Sequence, residues 1–332
     1  MTVTTTATRD APAHRIDRLS APLLVSWQLT RDCDLACVHC CTESAPGKVM
    51  AGELSREAAL TLCDQIIAAG VPYVMLCGGE PMVVPHFIEV AERLGRAGVR
   101  LKIETNGQKF DADAIARLAP LPIRSIQISL DADTPEVYAK QRIGASLDKV
   151  HDACRAVVAA GLPLEVTFAP TRINIHEAEA VIARARDLGA FRFNSGALMR
   201  IGNAAKNWRK IAPDEAENRA LRDVLDLESV REGETMELCY EPFTVAEGLE
   251  RSLQEPAATL LVLPNGWVKA SAALPDIVAD LKKCDLETAW ARFRQAWKSD
   301  DLRRAIADVA ADASKLDRAN AWRMFEIDNA IL

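Results

Sequence analysis

The sequence predicts an α/β protein whose parallel sheet is bent into a barrel or part of one. Short apolar, β-branched runs alternate with segments of helical periodicity along the first two thirds of the chain. The connections between them are short, and right-handed strand–helix–strand crossovers in series curve a parallel sheet. With 332 residues, 49% of them hydrophobic, the chain is long enough for one large domain or two smaller ones.

The alternation predicts six strands and five helices before about residue 205. The predicted strands are 23–30, 73–77, 99–104, 125–130, 164–170 and 191–196. The predicted helices are 56–70, 87–98, 112–119, 147–161 and 176–189. Loops that follow parallel strands meet at one edge of the sheet, so we expect functional side chains in those loops.

The pattern changes after about residue 205, where a polar and acidic stretch replaces the alternation. A hairpin is predicted over 258–274 around the turn Pro264-Asn265-Gly266, and amphipathic helices follow from about residue 286. We therefore expect four parts along the chain. They are a disordered leader (1–20), the barrel (21–205), a helical linker (206–235) and a C-terminal extension (236–332).

Composition narrows the class of protein. A net charge of −7 without any basic block argues against a nucleic-acid partner. No run of 18 apolar residues exists, so no membrane span is predicted, and the N-terminus does not read as a secretory signal. We expect a cytoplasmic location, where clustered cysteines are more often metal ligands or catalytic groups than disulfides.

The stretch RDCDLACVHCCTES, residues 31–44, holds four of the nine cysteines. Cys33, Cys37 and Cys40 are spaced C-x3-C-x2-C directly after the first predicted strand. Three thiolates on one short loop can bind three irons of a cubane cluster and leave the fourth iron open. The alternatives are a chance cluster or a structural zinc site, for which His39 or Cys41 would supply the fourth ligand.

The cysteine loop, followed by GGEP (78–81) after the second strand, resembles the radical S-adenosylmethionine (SAM) superfamily. Other similar phrases are WQLTRDCDLACVHC, ETNG (104–107), QISLDA (127–132) and Arg142-x-Gly144-x-Ser146. The most similar subgroup is the SPASM/twitch type, which includes the enzymes that mature the pyrroloquinoline-quinone and mycofactocin precursor peptides. The resemblance implies a partial (β/α)6 TIM-like barrel followed by a small α+β twitch-like extension.

The resemblance also implies the cofactors. Cys33, Cys37 and Cys40 would hold one [4Fe-4S] cluster, and its open iron would chelate SAM. An electron donor such as flavodoxin or ferredoxin would reduce the cluster, and the resulting 5′-deoxyadenosyl radical would abstract hydrogen from the substrate. Cys41 is expected not to be a ligand. Cys63 and Cys154 lie in helical patterns and are expected to be core thiols, and Cys77 is expected to pack beside the SAM turn.

By the same resemblance, eight residues contact or position SAM. They are His39, Gly78, Gly79, Glu80, Pro81, Asn106, Ser129 and Asp131. The glycines would let the backbone approach the methionine moiety, Glu80 would bind its ammonium group, and Pro81 would fix the turn.

The remaining SAM residues have structural alternatives. His39 would stack on the adenine. Ser129 and Asp131 would bind the ribose, although Asp131 could instead be a helix N-cap. Asn106 would contact SAM or form an Asx turn. Four further residues are expected at the barrel mouth, either recognising an anionic group or forming surface salt bridges: Arg142, Thr171, Arg172 and Arg200.

The C-terminal extension departs from the SPASM/twitch pattern. The hairpin places Ser271 where the G-x4-C motif has a cysteine, and only Cys239 and Cys284 remain as thiols in this region. Two thiols cannot complete a typical cluster site, so we expect the auxiliary clusters to be lost. This favours a redox-neutral rearrangement, epimerisation, elimination or decarboxylation over net oxidation. Cys239 or Cys284 would then be either a hydrogen donor or a packing thiol.

The substrate expected from these features is a polar small molecule, such as a sugar, a nucleoside or a cofactor precursor. The segment before the first strand is too short for a fused leader-binding domain, which disfavours the alternative of a peptide-modifying maturase. A separate binding partner would restore that alternative. A non-catalytic iron–sulfur or zinc protein is the reading from another class. A protein of that kind would not need both the cysteine motif and GGEP, which argues against this alternative.

Overall fold

The computed structural model describes residues 16–231, 233, 235–241 and 243–326, and its core is a single sheet. The strands are β1 (Leu24–Gln28), β2 (Tyr73–Cys77), β3 (Arg100–Thr105), β4 (Ile123–Ser129), β5 (Leu164–Phe168), β6 (Arg192–Gly196), β7 (Glu237–Glu241), β8 (Thr259–Val262), β9 (Trp267–Lys269), β10 (Asp276–Asp280) and β11 (Arg323–Met324). All six strands predicted in the first part of the chain are present.

Helices connect or flank these strands. They are α1 (Arg56–Ala68), α2 (Phe87–Arg96), α3 (Ala112–Leu118), α4 (Pro135–Gln141), α5 (Leu147–Ala159), α6 (Ala178–Asp187), α7 (Asn203–Ile211), α8 (Glu215–Ser229), α9 (Val245–Ser252), α10 (Leu286–Ala296) and α11 (Asp300–Ala311). The five predicted helices correspond to α1, α2, α3, α5 and α6.

The strand order is β11-β10-β9-β8-β1-β2-β3-β4-β5-β6-β7. Strands β1 to β7 are parallel neighbours in chain order, and β8 pairs in parallel with the other edge of β1. The predicted hairpin follows as the antiparallel pair β8–β9, to which β10 adds. Sequential parallel strands with helical crossovers are the architecture of a partial barrel, as expected.

Alternation along the strands separates the two faces of the sheet. On β3, Leu101 and Ile103 are fully buried in the main core, which includes residues of α1, α2, α5 and α6. Lys102 and Glu104, between and after them, lie on the opposite face. The apolar face therefore packs under the helices, and the polar face is left for the barrel interior.

Five elements were not anticipated: α4, β7, α9, β10 and β11. Strand β7 has no buried residue and pairs only with β6 among the described strands, so it carries little of the alternating signal that identifies a half-buried strand. The predicted boundary at residue 205 falls inside α7, and the predicted linker consists mostly of α7 and α8. Since β7 and β8 extend the same sheet, the division into domains stays a prediction.

The start of the described chain is packed. Ile16 is buried, and the Leu19 carbonyl accepts a hydrogen bond of 2.9 Å from the indole nitrogen of Trp290 on α10. Residues 16–20 are thus held against the C-terminal extension, contrary to the expected disordered leader. Residues 1–15 of that leader lie outside the described residues. Within the described ranges, no helix combines the length and the apolar character that crossing a membrane requires.

Candidate active site

A cavity of about 720 Å³ opens at the carboxyl ends of the parallel strands. Strands β1 to β6 contribute to its wall through their polar face, and the loops that follow them close its rim. The strand residues that line it include Ser26, Gln28, Met75, Cys77, Glu104, Gln127, Ser129, Thr167 and Asn194. All three cysteines of the C-x3-C-x2-C motif line the same cavity. The fold therefore brings the motif to the barrel mouth, as the sequence predicts.

Each of these three thiols lies beside a different polar side chain. The pairs are Asn106 Nδ2 with Cys33 Sγ at 3.7 Å, Arg142 Nη1 with Cys37 Sγ at 3.7 Å, and Thr42 Oγ1 with Cys40 Sγ at 3.2 Å. Backbone amides add to them, since the N–H groups of Leu35 and Ser44 lie 3.4 Å from the sulfurs of Cys33 and Cys40. Hydrogen bonds of this kind favour the thiolate over the thiol.

Burial favours the thiol over the thiolate at the two most buried cysteines of the motif. Cys33 and Cys37 are 7% and 8% exposed. Burial raises the pKa of Cys33 to about 12 and that of Cys37 to about 11, the latter against the charge of Arg142. The thiolate is the form that binds metal, so these ligands need a positively charged group in the cavity to ionise them.

The donor set fits an iron–sulfur cluster. The described residues contain no group of three or more His, Cys, Asp or Glu side chains that could hold a single metal ion. A cubane cluster makes a different demand, because each thiolate binds its own iron atom. Three thiols on one cavity wall, each with its own donor, meet that demand.

The GGEP turn packs directly on the start of the cysteine loop. The amide of Gly79 donates to the Thr30 carbonyl at 2.7 Å, and that of Glu80 donates to the Asp32 carbonyl at 3.0 Å. A Cβ atom at residue 79 would lie 1.9 Å from the Asp32 carbonyl oxygen, and Gly78 makes a similar close approach to Thr30. The glycines are therefore required by contact with protein backbone, a reason that the sequence did not show. Both also line the cavity.

Glu80 is fully buried and its contacts are internal. Its carboxylate accepts hydrogen bonds from Thr105 Oγ1 at 2.8 Å, the Asn106 amide at 2.8 Å and the Met82 amide at 3.1 Å. Burial outweighs these bonds and raises the pKa of Glu80 to about 7. In this arrangement Glu80 fixes the turn to the end of β3 and does not line the cavity, so its contact with the methionine ammonium stays a prediction. Pro81 is buried and begins a short 3-10 turn.

Asn106 forms the Asx turn, which is one of the two roles considered for it. Its side-chain oxygen accepts from the Gln108 amide at 2.8 Å, which closes an Asx turn. Its amide nitrogen donates to Asp34 at 2.7 Å and lies beside Cys33. Because Asn106 also lines the cavity, it is available to a ligand, and its contact with SAM stays a prediction.

Asp131 belongs to a buried polar cluster at the end of β4. Its carboxylate accepts from Arg142 Nε at 2.6 Å and from the Ala169 amide at 2.8 Å, and it lies 3.4 Å from His39 Nε2. Burial by itself raises the pKa of Asp131. Arg142, His39 and the Ala169 amide together lower it by more than burial raises it, so the pKa lies below its ordinary value. The carboxylate is therefore held ionised as the counter-ion of Arg142.

These contacts change the expectation for Asp131. It is fully buried and does not line the cavity, so the structure gives it no open path to a ribose, and that contact stays a prediction. The helix N-cap alternative is wrong, because Thr134 occupies the N-cap of α4. Ser129 does line the cavity, in agreement with a role beside the ligand.

His39 lines the cavity with an unsatisfied ring nitrogen. Its Nδ1 atom is buried and has no hydrogen-bond partner, while Nε2 faces Asp131. Burial lowers the pKa of His39 to about 4, so the imidazole is neutral at physiological pH. A buried ring nitrogen without a partner is expensive unless a ligand satisfies it, and a neutral ring suits contact with an aromatic base. The contact of His39 with the adenine of SAM stays a prediction.

The other mouth residues separate into two groups. Arg142 lines the cavity, whereas Arg172 pairs with Glu217 and Arg200 pairs with Asp317 at the surface. Thr171 is fully buried and donates to Gln141. Only the first of these four is therefore placed to meet a ligand in the main cavity. The salt-bridge alternative holds for Arg172 and Arg200.

The cysteines outside the motif lie as follows. Cys63 and Cys154 are fully buried in the core, as expected. Cys41 and Cys77 line the cavity, and burial raises the pKa of Cys41 to about 12. Cys239 lies on β7, and Cys284 donates to the Asp280 carbonyl at 3.4 Å. Neither of these two lines the cavity, so the geometry does not support the prediction that one of them donates hydrogen.

Some cavity residues were not singled out in the sequence. Glu104 accepts a 3.0 Å hydrogen bond from Gln127, and burial raises the pKa of its carboxyl group. Asn194 donates to Gln127 at 3.4 Å and to Glu165 at 3.0 Å. These polar positions alternate with apolar ones along β3, β4 and β6. That alternation is the signal that could have assigned them to the barrel interior.

Comparison with known proteins agrees with this geometry. Residues 27–185 match the family described as the Radical SAM superfamily, so the chain carries a radical SAM domain. Domains of this superfamily use a [4Fe-4S] cluster and SAM, which is the pair of cofactors that the cysteine loop and the cavity fit.

Among relatives, the chain is 34% identical over 213 residues to mycofactocin maturase MftC of Mycobacterium ulcerans, covering 62% of this chain and 56% of that protein. It is 28% identical to the PqqA peptide cyclase of Ruegeria pomeroyi, covering 62% of this chain and 55% of that protein. The chain thus spans little more than half the length of these relatives.

Among solved structures, Streptococcus suis SuiB bound to the precursor peptide SuiA has a TM-score of 0.66. That match covers 88% of this chain and 68% of SuiB. At 16% sequence identity the likeness shows a shared fold. The fold extends beyond the family match at residue 185.

Proposed function

We propose that this protein is a radical SAM enzyme that modifies a peptide. The observation that carries the proposal is the cavity wall on which Cys33, Cys37 and Cys40 meet the GGEP turn. When bound, the cluster and SAM supply a carbon radical that can abstract hydrogen from an unactivated position. The protein supplies the ligands, the orientation of both partners and the exclusion of water.

The residues of the chain divide this work. Cys33, Cys37 and Cys40 hold the cluster, and the donors beside their sulfurs contribute to its reduction potential. Arg142 carries one of these donors and is itself fixed by the buried Asp131. The partial barrel then surrounds the reacting centre, since residues of β1 to β6 and of the loops that follow them line the cavity.

Relatives support a peptide as the substrate. Several of its relatives, among them a mycofactocin maturase and a PqqA peptide cyclase, are named for work on peptides, whereas others are named AdoMet-dependent heme synthases. This favours the peptide alternative over the polar small molecule expected from the sequence alone. The expectation of a small molecule rested on the short segment before β1, and a separate leader-binding partner would remove that objection.

The type of reaction follows from the C-terminal extension. Ser271 stands at the position where the G-x4-C motif has a cysteine, and its hydroxyl accepts from the Ala273 amide at 3.3 Å. We propose that the extension holds no auxiliary cluster. The reaction is then redox-neutral with respect to the substrate, and a small external protein such as flavodoxin or ferredoxin delivers the electron in the cytoplasm.

The test is anaerobic reconstitution followed by two measurements on one sample. We expect about four irons per chain and formation of 5′-deoxyadenosine from SAM with dithionite as the reductant. About eight irons would contradict a single cluster, and zinc without SAM cleavage would contradict the radical mechanism. Synthetic peptides encoded by short reading frames beside the gene, compared with a metabolite extract, test the substrate class. A peptide-dependent increase in 5′-deoxyadenosine supports the proposal, and an increase with the extract alone contradicts it.

A further inference from the structure

Three asparagine side chains donate to backbone carbonyls of the cysteine loop, residues 33–41. The pairs are Asn203 Nδ2 with the Cys37 oxygen at 3.1 Å, Asn207 Nδ2 with the Val38 oxygen at 2.9 Å, and Asn320 Nδ2 with the Cys41 oxygen at 2.8 Å. A carbonyl oxygen only accepts hydrogen bonds, so the amide nitrogen must be the atom that faces it. We call these three residues the asparagine clamp.

Helix α7 begins directly on the loop. The backbone amide of Asn203 donates to the Cys40 carbonyl at 2.8 Å. The preceding residue, Gly202, has φ +62°, and a Cβ atom there would lie 2.5 Å from the Cys41 carbonyl oxygen. Only glycine permits this approach, which brings the first two turns of α7 within reach of the loop.

The loop is held from two sides by different parts of the chain. Two of its N–H groups are bound at the end of α4 and just after it, since Ala36 and Val38 donate to the carbonyls of Ile143 and Gln141 at 3.0 Å each. The three clamp residues, which bind the carbonyls, all lie beyond residue 185, where the family match ends. The residues that bind the loop's N–H groups and the residues that bind its carbonyls thus act together to fix its conformation.

We propose that Asn203, Asn207 and Asn320 are positioning residues that hold the cysteine loop in the conformation that binds the cluster. A short loop without its hydrogen bonds gains conformational freedom, and each partly buried carbonyl that loses its donor destabilises the closed form. The C-terminal part of the chain thereby acts on the cluster without binding one itself. The role in cluster binding rests on the proposed function, but the loop conformation does not.

The test replaces the donors while keeping the size of each side chain. Asn203→Asp and Asn207→Asp put an oxygen where the donor was. An acidic residue in the first turn stabilises a helix. If Asn203 served only α7, Asn203→Asp would therefore leave the stability of the protein unchanged or raise it. Asn320 lies near Glu43, so Asn320→Leu removes its donor without adding charge. The matched control is Asn218→Asp on α8, whose amide donates to the Pro213 carbonyl at 3.4 Å.

The first readout needs no cluster. In the apo protein, iodoacetamide labelling of Cys33 and Cys37 is followed by peptide mass mapping. We expect labelling on the order of ten-fold faster in each clamp variant, because opening of the loop becomes easier. The control is expected to label like the wild type. Circular dichroism checks that each variant folds. If the two α7 variants do not fold, Asn320→Leu still tests the proposal.

The second readout is iron release from the reconstituted protein to a chelator, together with the electron paramagnetic resonance spectrum of the reduced cluster. We expect release on the order of ten-fold faster and an altered spectrum in the clamp variants. Wild-type rates in both assays would overturn the clamp. If the wild type binds no iron but the labelling rates still differ, the proposed function fails while the clamp stands.

Discussion

Gly79 and Asp32 approach so closely that a Cβ atom at residue 79 would lie 1.9 Å from the Asp32 carbonyl oxygen. This contact joins the GGEP turn after β2 to the residue that directly precedes the cysteine loop. Most pairs made of one motif cysteine and one GGEP residue are 40 residues or more apart in the sequence. The two motifs nevertheless form one packed unit. A change at either motif is expected to disturb the other.

Gly79→Ala should therefore destabilise the protein and displace the cysteine loop. We expect a loss of about 2 kcal/mol or more in the free energy of unfolding, since neither backbone can give way easily. Gly248→Ala on α9 is the control, because nothing lies within 4 Å of its added Cβ atom. Alanine in a helix should stabilise by about 1 kcal/mol. Urea denaturation of the apo proteins measures whether each variant loses or gains free energy of unfolding. A Gly79→Ala variant as stable as the wild type would contradict the packed unit.

Replacing Cys33, Cys37 or Cys40 with alanine should abolish cluster binding and SAM cleavage. Each thiol lines the cavity, and in the expected arrangement each binds its own iron atom. Cys41→Ala should retain about four irons per chain and SAM cleavage. Iron content and 5′-deoxyadenosine are measured on the same samples. Loss of the cluster in Cys41→Ala, with retention in one of the other three variants, would show that the ligand assignment is wrong.

Glu80 should make stability depend on pH. Its pKa is raised from 4.5 to about 7 in the folded protein, so the folded state binds the proton more tightly than the unfolded state. Its contribution is fully present below about pH 4.5 and is lost as the pH rises through about 7, a change of about 3 kcal/mol. Glu80→Gln does not ionise and lacks this decline.

The measurement is the free energy of unfolding of the apo protein from pH 4.5 to 8. The wild type should lose stability relative to Glu80→Gln across that interval, and the difference should level off above it. Parallel curves for the two proteins would mean that Glu80 titrates near its ordinary value of 4.5.

Asp131 and Arg142 should show strong energetic coupling. They form a 2.6 Å ion pair with both side chains buried. Asp131→Asn leaves the guanidinium without its counter-ion, and Arg142→Met leaves the carboxylate without its cation, so each single change should cost about 3–5 kcal/mol. The double variant should cost less than the sum by about 1–3 kcal/mol. A double-mutant cycle in urea checks this, and simple additivity would contradict the pairing.

The sequence by itself determined the six sequential strands, the helices between them and the face that carries the cysteine motif. These follow from local information, because alternation and helical periodicity report burial directly, and parallel strands must end at one edge. The three cysteines and GGEP needed only their spacing and their position after a strand. The same local signal was too weak for β7, a strand without a buried residue that pairs on one side only among the described strands.

Tertiary structure decided which atoms each site residue meets. The sequence placed Glu80 and Asp131 beside a ligand, but the fold turns one toward Thr105 and the other toward Arg142. It also brought Asn203, Asn207 and Asn320 onto the cysteine loop, the nearest of them 166 residues from its partner. No spacing rule reaches that far. Such contacts depend on how a helix and a late loop return to the sheet, and that return is fixed by packing across the whole core.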